Sequence, residues 1–242
     1  MSGGAAHEER YPAARVRVSR VRALVPIACG LASLLTGCVY LSRHTLPGAC
    51  PEDLGSPIRN FCVVTPGVVW RAEAPTRADA QWLVDHGVAS VVSLGLDVRE
   101  SFESAHIDPR LTRSVTYYDV RDFSALEVLT HRHLDEHVAL ALAIIQQAPK
   151  PVLVNCRAGV DRTGIVVAAY RMLVDGMSAK RAVAEMNRFH SPWDPLNDRY
   201  VRSLAGTRGA SILRRARAWE SSAVKPSGRF RCRHGGCRFL RR

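Results

Sequence analysis

The residues with the clearest chemical potential are a cysteine and an arginine six positions apart, Cys156 and Arg162. They lie in the segment 155–164, NCRAGVDRTG, which follows an apolar run and leads into a second apolar pattern of helical spacing. The N–H groups of such a loop and the N-terminus of the following helix form an anion site. The same field favours thiolate over thiol. The pattern therefore predicts a nucleophilic sulfur beside a bound phosphate.

Each residue of this loop has an expected task. Arg162 can donate two N–H groups to phosphoryl oxygens, Thr163 can hydrogen-bond the sulfur as it leaves, and Gly159 allows close backbone approach. The predicted phosphate-binding residues are Arg157, Ala158, Gly159, Val160, Asp161 and Arg162. The spacing alone proves nothing, because Cys232 and Arg238 repeat it near the C-terminus without a preceding apolar strand or a following helix.

The elements that must hold this loop alternate between strands and helices. Buried β-branched runs predict strands at 68–71, 88–94, 114–120 and 151–155, and helical spacing predicts helices at 77–86, 126–147, 164–174, 179–189 and 196–204. This order predicts an α/β fold with a central, mostly parallel sheet flanked by helices. The site is then expected at the carboxyl ends of the strands.

The N-terminal residues have the composition of a targeting segment. Four arginines at 15–22 precede an apolar stretch at 23–35, which is too short to span a bilayer as a helix. A buried core helix is the alternative. The sequence LTGC at 35–38 resembles the lipobox of bacterial lipoproteins, which implies a signal peptide at 1–37, acylation of Cys38 and a lipid anchor in the cell envelope facing the periplasm.

The remaining cysteines are expected to divide into two pairs and one free thiol. In an oxidising compartment, Cys50 can pair with Cys62 and Cys232 with Cys237, because each pair is close in sequence. Cys156 is then the odd cysteine, which agrees with a reactive role.

The charge of the chain is concentrated at its two ends. The net charge is +12, of which residues 1–22 carry +3 and residues 202–242 carry +11, so the middle is nearly neutral. This distribution argues against a nucleic-acid-binding face on the main domain. Residues 38–66 are predicted to be an irregular lead-in, and residues 207–242 a basic, disordered tail, with a small disulfide loop as the alternative.

The loop resembles the signature of the cysteine-based protein tyrosine and dual-specificity phosphatases, closest to bacterial envelope members. The segments WRAEAP at 70–75 and GVASVVSL at 87–94 also resemble motifs of this superfamily. The resemblance implies a phosphatase domain at 67–206 that hydrolyses phosphate monoesters without a cofactor. Asn155 departs from the family, which usually has His at that position; Asn cannot add positive charge, so the sequence predicts lower activity.

Family members also use an Asp on a separate loop as general acid. Asp119 and Asp122 are both candidates, and Asp122 is favoured because it lies past the predicted strand on a loop able to close over a substrate. Asp161, inside the signature, is expected to fix the loop or to tune the attacking water rather than to act as the acid.

The predicted enzyme forms a cysteinyl-phosphate and acts on a phosphorylated protein, phosphotyrosine or dual-specificity, or on a small phosphate ester. The alternative is a module that binds phosphorylated ligands without turnover. This hypothesis remains open because Asn155 stands where the family usually has His. Three histidines at 131, 133 and 137 share one predicted helix, but no matching ligand set accompanies them, so no metal site is predicted. The membrane is an expected partner through Cys38, and nucleic acid is not.

Overall fold

The structure, a computed structural model, describes residues 50, 52–131, 133–221 and 224–241. The predicted signal peptide (1–37) and the predicted acylation site, Cys38, lie outside these residues. None of the described helices is both long and apolar enough to cross a lipid bilayer.

The described part of the chain contains one sheet of seven strands. They are β1 (Cys62–Thr65), β2 (Val69–Glu73), β3 (Ser90–Leu94), β4 (Arg113–Val120), β5 (Val152–Cys156), β6 (Gly228–Arg233) and β7 (Gly236–Arg241). Their order across the sheet is β1-β2-β5-β3-β4-β6-β7. The central four strands are parallel, as predicted, whereas β1, β6 and β7 pair antiparallel to their neighbours.

Helices cover both faces of the sheet. They are α1 (Arg77–Asp85), α2 (Arg99–Glu103), α3 (Ala125–Thr130), α4 (Leu134–Gln147), α5 (Asp161–Leu173), α6 (Ala179–Met186), α7 (Asp194–Ser203) and α8 (Thr207–Ser221), with a 3₁₀ turn at Asn187–Phe189. Thr76 caps α1 and forms a reciprocal capping box with Asp79.

The central strand β5 is buried on both faces. Val152 and Val154 belong to the apolar cluster that includes α4 and α5, whereas Leu153 belongs to the cluster on the other face with α1 and α2. A strand covered on both sides needs apolar residues at every position, which explains the uninterrupted apolar run in the sequence.

The single helix predicted at 126–147 is wrong, because the structure divides it into α3 and α4. His131 and His133 have φ values of 56° and 58°, so the backbone there is left-handed and cannot continue the helix. Helical spacing of apolar residues persists across the break, and for this reason the sequence pattern did not reveal it.

The disordered tail predicted at 207–242 is also corrected by the structure. Residues 207–221 form α8, which packs against α4, and the hairpin β6–β7 extends the sheet beyond β4. The strand β6 alternates buried and exposed residues, with Phe230 and Cys232 in the core. The tail folds because side chains alternate between the two faces of a strand, so a strand in which half of the residues are arginine can still bury an apolar face.

Candidate active site

The predicted signature loop joins β5 to α5 and forms the floor of a cavity. Cys156 ends β5, and α5 begins at Asp161, three residues earlier than predicted. The cavity has a volume of about 650 Å³, and loop residues Cys156, Arg157, Ala158, Asp161 and Arg162 line it. Cys156 is the free cysteine of the described residues and is 3% exposed. The strand, the loop and the helix start thus follow one another in the order that the sequence predicts.

Arg162 connects the signature loop to the segment that follows β4. Its Nε lies 2.5 Å from Oδ1 of Asp122 and donates to the carbonyl oxygen of Phe123 at 3.1 Å. Phe123 and Arg162 both line the cavity. The structure therefore brings Cys156, Arg162 and Asp122 to one end of the sheet.

The second acid candidate, Asp119, lies in a different environment. It is within β4, where its backbone N–H donates to Ser227 Oγ at 3.0 Å. Burial, with a smaller contribution from Asp97, raises the pKa of Asp119. Neither Asp119 nor Asp122 is among the residues that line the cavity, but Asp122 contacts Arg162, which does line it.

Two glycines bring backbone segments into close contact around the site. Gly159 has φ of 67°, and a Cβ added there would lie 2.4 Å from the backbone of Ala72 and Glu73 in β2. Gly95, after β3, has φ of 75°, and its added Cβ would lie 2.4 Å from Cβ of Asp122. The first contact places the signature loop against β2, and the second places the Asp122 loop against the end of β3.

Arg71, in β2, supports the signature loop with a buried hydrogen bond. Its side chain is 1% exposed, Nη2 donates to the carbonyl oxygen of Gly159 at 2.5 Å, and the guanidinium lies 3.5 Å from the ring centroid of Phe189. Burial lowers the pKa of Arg71 to about 10, against the opposing effect of Cys156, so the group stays charged at neutral pH. The loop therefore has a buried positive charge behind it.

The lead-in also contacts the loop, a contact that the sequence does not indicate. Cys50 and Cys62 are disulfide-bonded, and Cys62 packs with Val160 and Phe189. Asn60, at φ of 57°, donates from Nδ2 to the carbonyl oxygen of Ala158 at 2.7 Å. The proline and glycine content of this segment indicates only irregular backbone, and no local pattern identifies its distant partner.

Asp161 and Asn155 have structural partners. Oδ1 of Asp161 accepts from Asn197 Nδ2 at 3.0 Å and from the hydroxyl of Ser191, so the carboxylate ties the loop to the start of α7. Asn155 Nδ2 donates to Ser93 Oγ at 3.3 Å. Its buried Oδ1 and the buried Oγ1 of Thr163 have no hydrogen-bond partner in the described part of the chain.

The three histidines do not form a metal site in the structure. His131 Nδ1 lies 2.6 Å from Nη1 of Arg208, a cation, and the ring of His137 stacks against Phe123. Among the described residues, no group of three His, Cys, Asp or Glu side chains is arranged to hold a metal ion.

Replacing Gly159 by alanine is expected to lower the free energy of unfolding by about 2 kcal/mol or more and to reduce kcat/KM, because the new Cβ meets backbone that cannot move aside. Gly67→Ala is the matched control: φ is also 67°, but nothing lies within 4 Å of the added Cβ. That variant should lose only about 1 kcal/mol and keep its activity. Urea unfolding and steady-state kinetics measure both, and equal losses would contradict the role assigned to the Gly159 contact.

Removing the Cys50–Cys62 disulfide with paired alanines should cost about 3 kcal/mol of unfolding free energy, because it closes a loop of 12 residues. Activity should also fall, since Cys62 packs on the signature loop. The Cys232–Cys237 pair, with a separation of 5, serves as control. Its removal should cost about 2 kcal/mol and leave kcat unchanged. Unchanged kcat in both variants would show that the lead-in does not support the loop.

Comparison with known proteins agrees with this arrangement. Residues 64–198 match the family model described as DSP-PTPase phosphatase fused to NAD+ kinase. The crystal structure of TpbA from P. aeruginosa is 25% identical, with a TM-score of 0.53, and the match covers 68% of this chain and 95% of TpbA. A Cys-to-Ser variant of TpbA in complex with phosphotyrosine is also 25% identical, with a TM-score of 0.51, covering 65% of this chain and 90% of that one.

Proposed function

Because the chain belongs to the DSP-PTPase phosphatase family, we propose that it hydrolyses phosphate monoesters through a cysteinyl-phosphate intermediate with Cys156 as nucleophile. The observation that carries this proposal is the placement of the free Cys156 sulfur on the floor of a cavity that Arg162 also lines. The family gives the phosphatase activity, and the geometry gives each residue its proposed role.

In the first step, the Cys156 thiolate attacks phosphorus and the bond from phosphorus to the ester oxygen breaks. Arg162 and the N–H groups of residues 157–161 hold the phosphoryl oxygens, where charge develops. Asp122, in contact with Arg162, donates its proton to the departing ester oxygen. The products of this step are the free alcohol or phenol and the phosphorylated cysteine.

In the second step, water attacks phosphorus and the phosphorus–sulfur bond breaks. The Asp122 carboxylate takes a proton from the attacking water, and inorganic phosphate and the thiolate are released. Thr163 is the residue proposed to support this departure: it lies fully buried in the first turn of α5, and its hydroxyl is without a hydrogen-bond partner in the described residues. A hydroxyl in that position can donate to the leaving sulfur.

We propose phosphotyrosine or a dual-specificity phosphoprotein as the substrate. The cavity carries aromatic side chains at its walls, Phe123 and Trp193, and Trp193 is 48% exposed. Such rings suit an aryl ester. The interior of the signature loop, Ala158, Gly159 and Val160, carries no further cation for a multiply phosphorylated headgroup. The phosphotyrosine complex of the TpbA variant agrees with this choice.

A rapid-mixing experiment with a chromogenic aryl phosphate tests the proposal. An enzyme that forms a cysteinyl-phosphate releases a burst of phenol of at most one equivalent, followed by steady turnover. The second candidate function is a module that binds phosphorylated ligands without turnover, which the Asn155 substitution favours. That module would bind the ester and release no phenol.

We further propose that the chain is a lipoprotein anchored in the bacterial envelope and facing the periplasm. The support is the LTGC sequence at 35–38 after a basic and then apolar segment. Labelling with a radioactive fatty acid in cells tests it. Label should enter the wild-type chain and be absent from the Cys38→Ser variant; equal labelling of both would exclude acylation at Cys38.

A further inference from the structure

The hairpin β6–β7 presents one buried face and one strongly basic face. Phe230 and Cys232 are fully buried against the sheet core. The opposite face of the two strands carries four exposed arginines, here called the arginine face: Arg229, Arg231, Arg233 and Arg238. The hairpin lies beyond residues 64–198, so the family match does not account for it.

The charges on the arginine face destabilise the hairpin. Arg231 and Arg238 are direct cross-strand partners, and like charges in that position repel each other. Within the described residues, no carboxylate lies within 4.0 Å of any guanidinium on this face. Folding alone does not explain this arrangement, and an external anion would relieve the repulsion.

The arginine face also contains a depression of suitable size and chemistry. A cavity of about 300 Å³ is lined by Arg231, Arg233, Arg238 and His234, with Cys237 and Leu240 supplying apolar surface. Guanidinium groups beside apolar surface suit a phosphate group joined to a hydrocarbon part, as in a phospholipid headgroup.

The position of the hairpin separates this surface from the catalytic cavity. Cys232 pairs with Arg113 at the first residue of β4, so the β6–β7 turn lies at the amino ends of the parallel strands. The signature loop and Asp122 lie at their carboxyl ends. At the rise of a β-strand, the eight residues of β4 separate the two ends by about 23 Å.

We propose that the arginine face docks on an anionic membrane surface by binding phospholipid phosphates. Anionic leaflets attract arginines near the surface by about a factor of five in affinity each. A nucleic acid is disfavoured because the aromatic residues of the described hairpin are not free for base stacking: Phe230 is buried, and Phe239 packs against Phe230 and Tyr117. The catalytic cavity lies at the opposite ends of the parallel strands from the hairpin turn, so docking of the arginine face need not cover it. We expect substrates to reach the cavity from the aqueous phase, and this expectation rests on the proposed phosphatase function.

Vesicle co-sedimentation tests the docking surface. The full chain carries Cys38→Ser, so that no acyl group contributes, and it is mixed with vesicles of phosphatidylglycerol and phosphatidylcholine or of phosphatidylcholine alone. The measured quantity is the ratio of the two partition coefficients, which cancels apolar contributions common to both. Arg231→Gln/Arg233→Gln/Arg238→Gln should lower this ratio about 100-fold, and Arg231→Gln alone about fivefold.

The matched control removes three exposed arginines from separate helices: Arg77→Gln/Arg181→Gln/Arg217→Gln. It should change the ratio far less than the hairpin variant, and both should keep wild-type activity on a soluble aryl phosphate, which also reports a correct fold. Equal losses in the two variants would overturn the proposal. So would a wild-type ratio near one, or binding of the arginine face to duplex DNA or to a second copy in preference to vesicles. If the wild-type chain did not turn over an aryl phosphate at all, that result would instead reject the phosphatase proposal.

Discussion

Replacing Cys156 by serine is expected to lower kcat for an aryl phosphate by about 10⁴-fold or more, because a neutral hydroxyl replaces the sulfur that attacks phosphorus. Cys156 is 3% exposed on the cavity floor, and serine is slightly smaller, so the fold should be retained. Steady-state kinetics with purified protein measure the effect. Burst-phase phenol should vanish together with turnover.

The control for this variant is ligand binding. Arg162 and the loop N–H groups are unchanged in Cys156→Ser, so a phosphotyrosine peptide should bind with near wild-type affinity in calorimetry. Retained binding with lost turnover separates a chemical role from misfolding. Full activity in the serine variant would end the cysteinyl-phosphate proposal.

Replacing Asp122 by asparagine is expected to slow esters with poor leaving groups by about 10²- to 10³-fold, since the departing alkoxide or phenoxide loses its proton donor. Esters whose leaving group is already stable as an anion should lose much less. The contrast between phenyl phosphate and a nitro-substituted phenyl phosphate, each measured as kcat, reports this difference directly.

Asp119→Asn provides the matched control. Asp119 lies three residues earlier, within β4, whereas Asp122 follows the strand and contacts Arg162, so the Asp119 variant should show no dependence on the leaving group. If Asp119→Asn shows the dependence and Asp122→Asn does not, the acid role moves to Asp119. Equal losses for both classes of ester in Asp122→Asn would place its role in holding Arg162 instead.

The central strands and the signature loop were predictable because their signals are local. β5 is apolar at successive positions, and the residues of the loop follow it without interruption in the sequence. The anion site needs only a strand end, a tight loop and a helix start, all encoded within about a dozen neighbouring residues. The pairings of Cys50 with Cys62 and of Cys232 with Cys237 followed from proximity and parity, and the structure confirms both.

The features that the sequence did not reveal depend on distant contacts. Asn60 supports the loop through Ala158, 98 positions away, and Arg71 supports it through Gly159, 88 positions away. The C-terminal hairpin was not predicted because its strongly basic composition is typical of a disordered tail, although the sequence also contains a strand pattern. Phe230 and Cys232 alternate with arginines, which is the period of a half-buried strand.

The order of strands makes the hairpin a protective edge for the sheet. Without β6 and β7, strand β4 would end the sheet and expose unpaired N–H and C=O groups along Val115 and Tyr117. Such an apolar edge is a template for strand addition between molecules, whereas the charged β7 discourages it. A chain truncated after Ser221, which keeps α8 but lacks β6 and β7, should therefore be more prone to aggregation than the full chain.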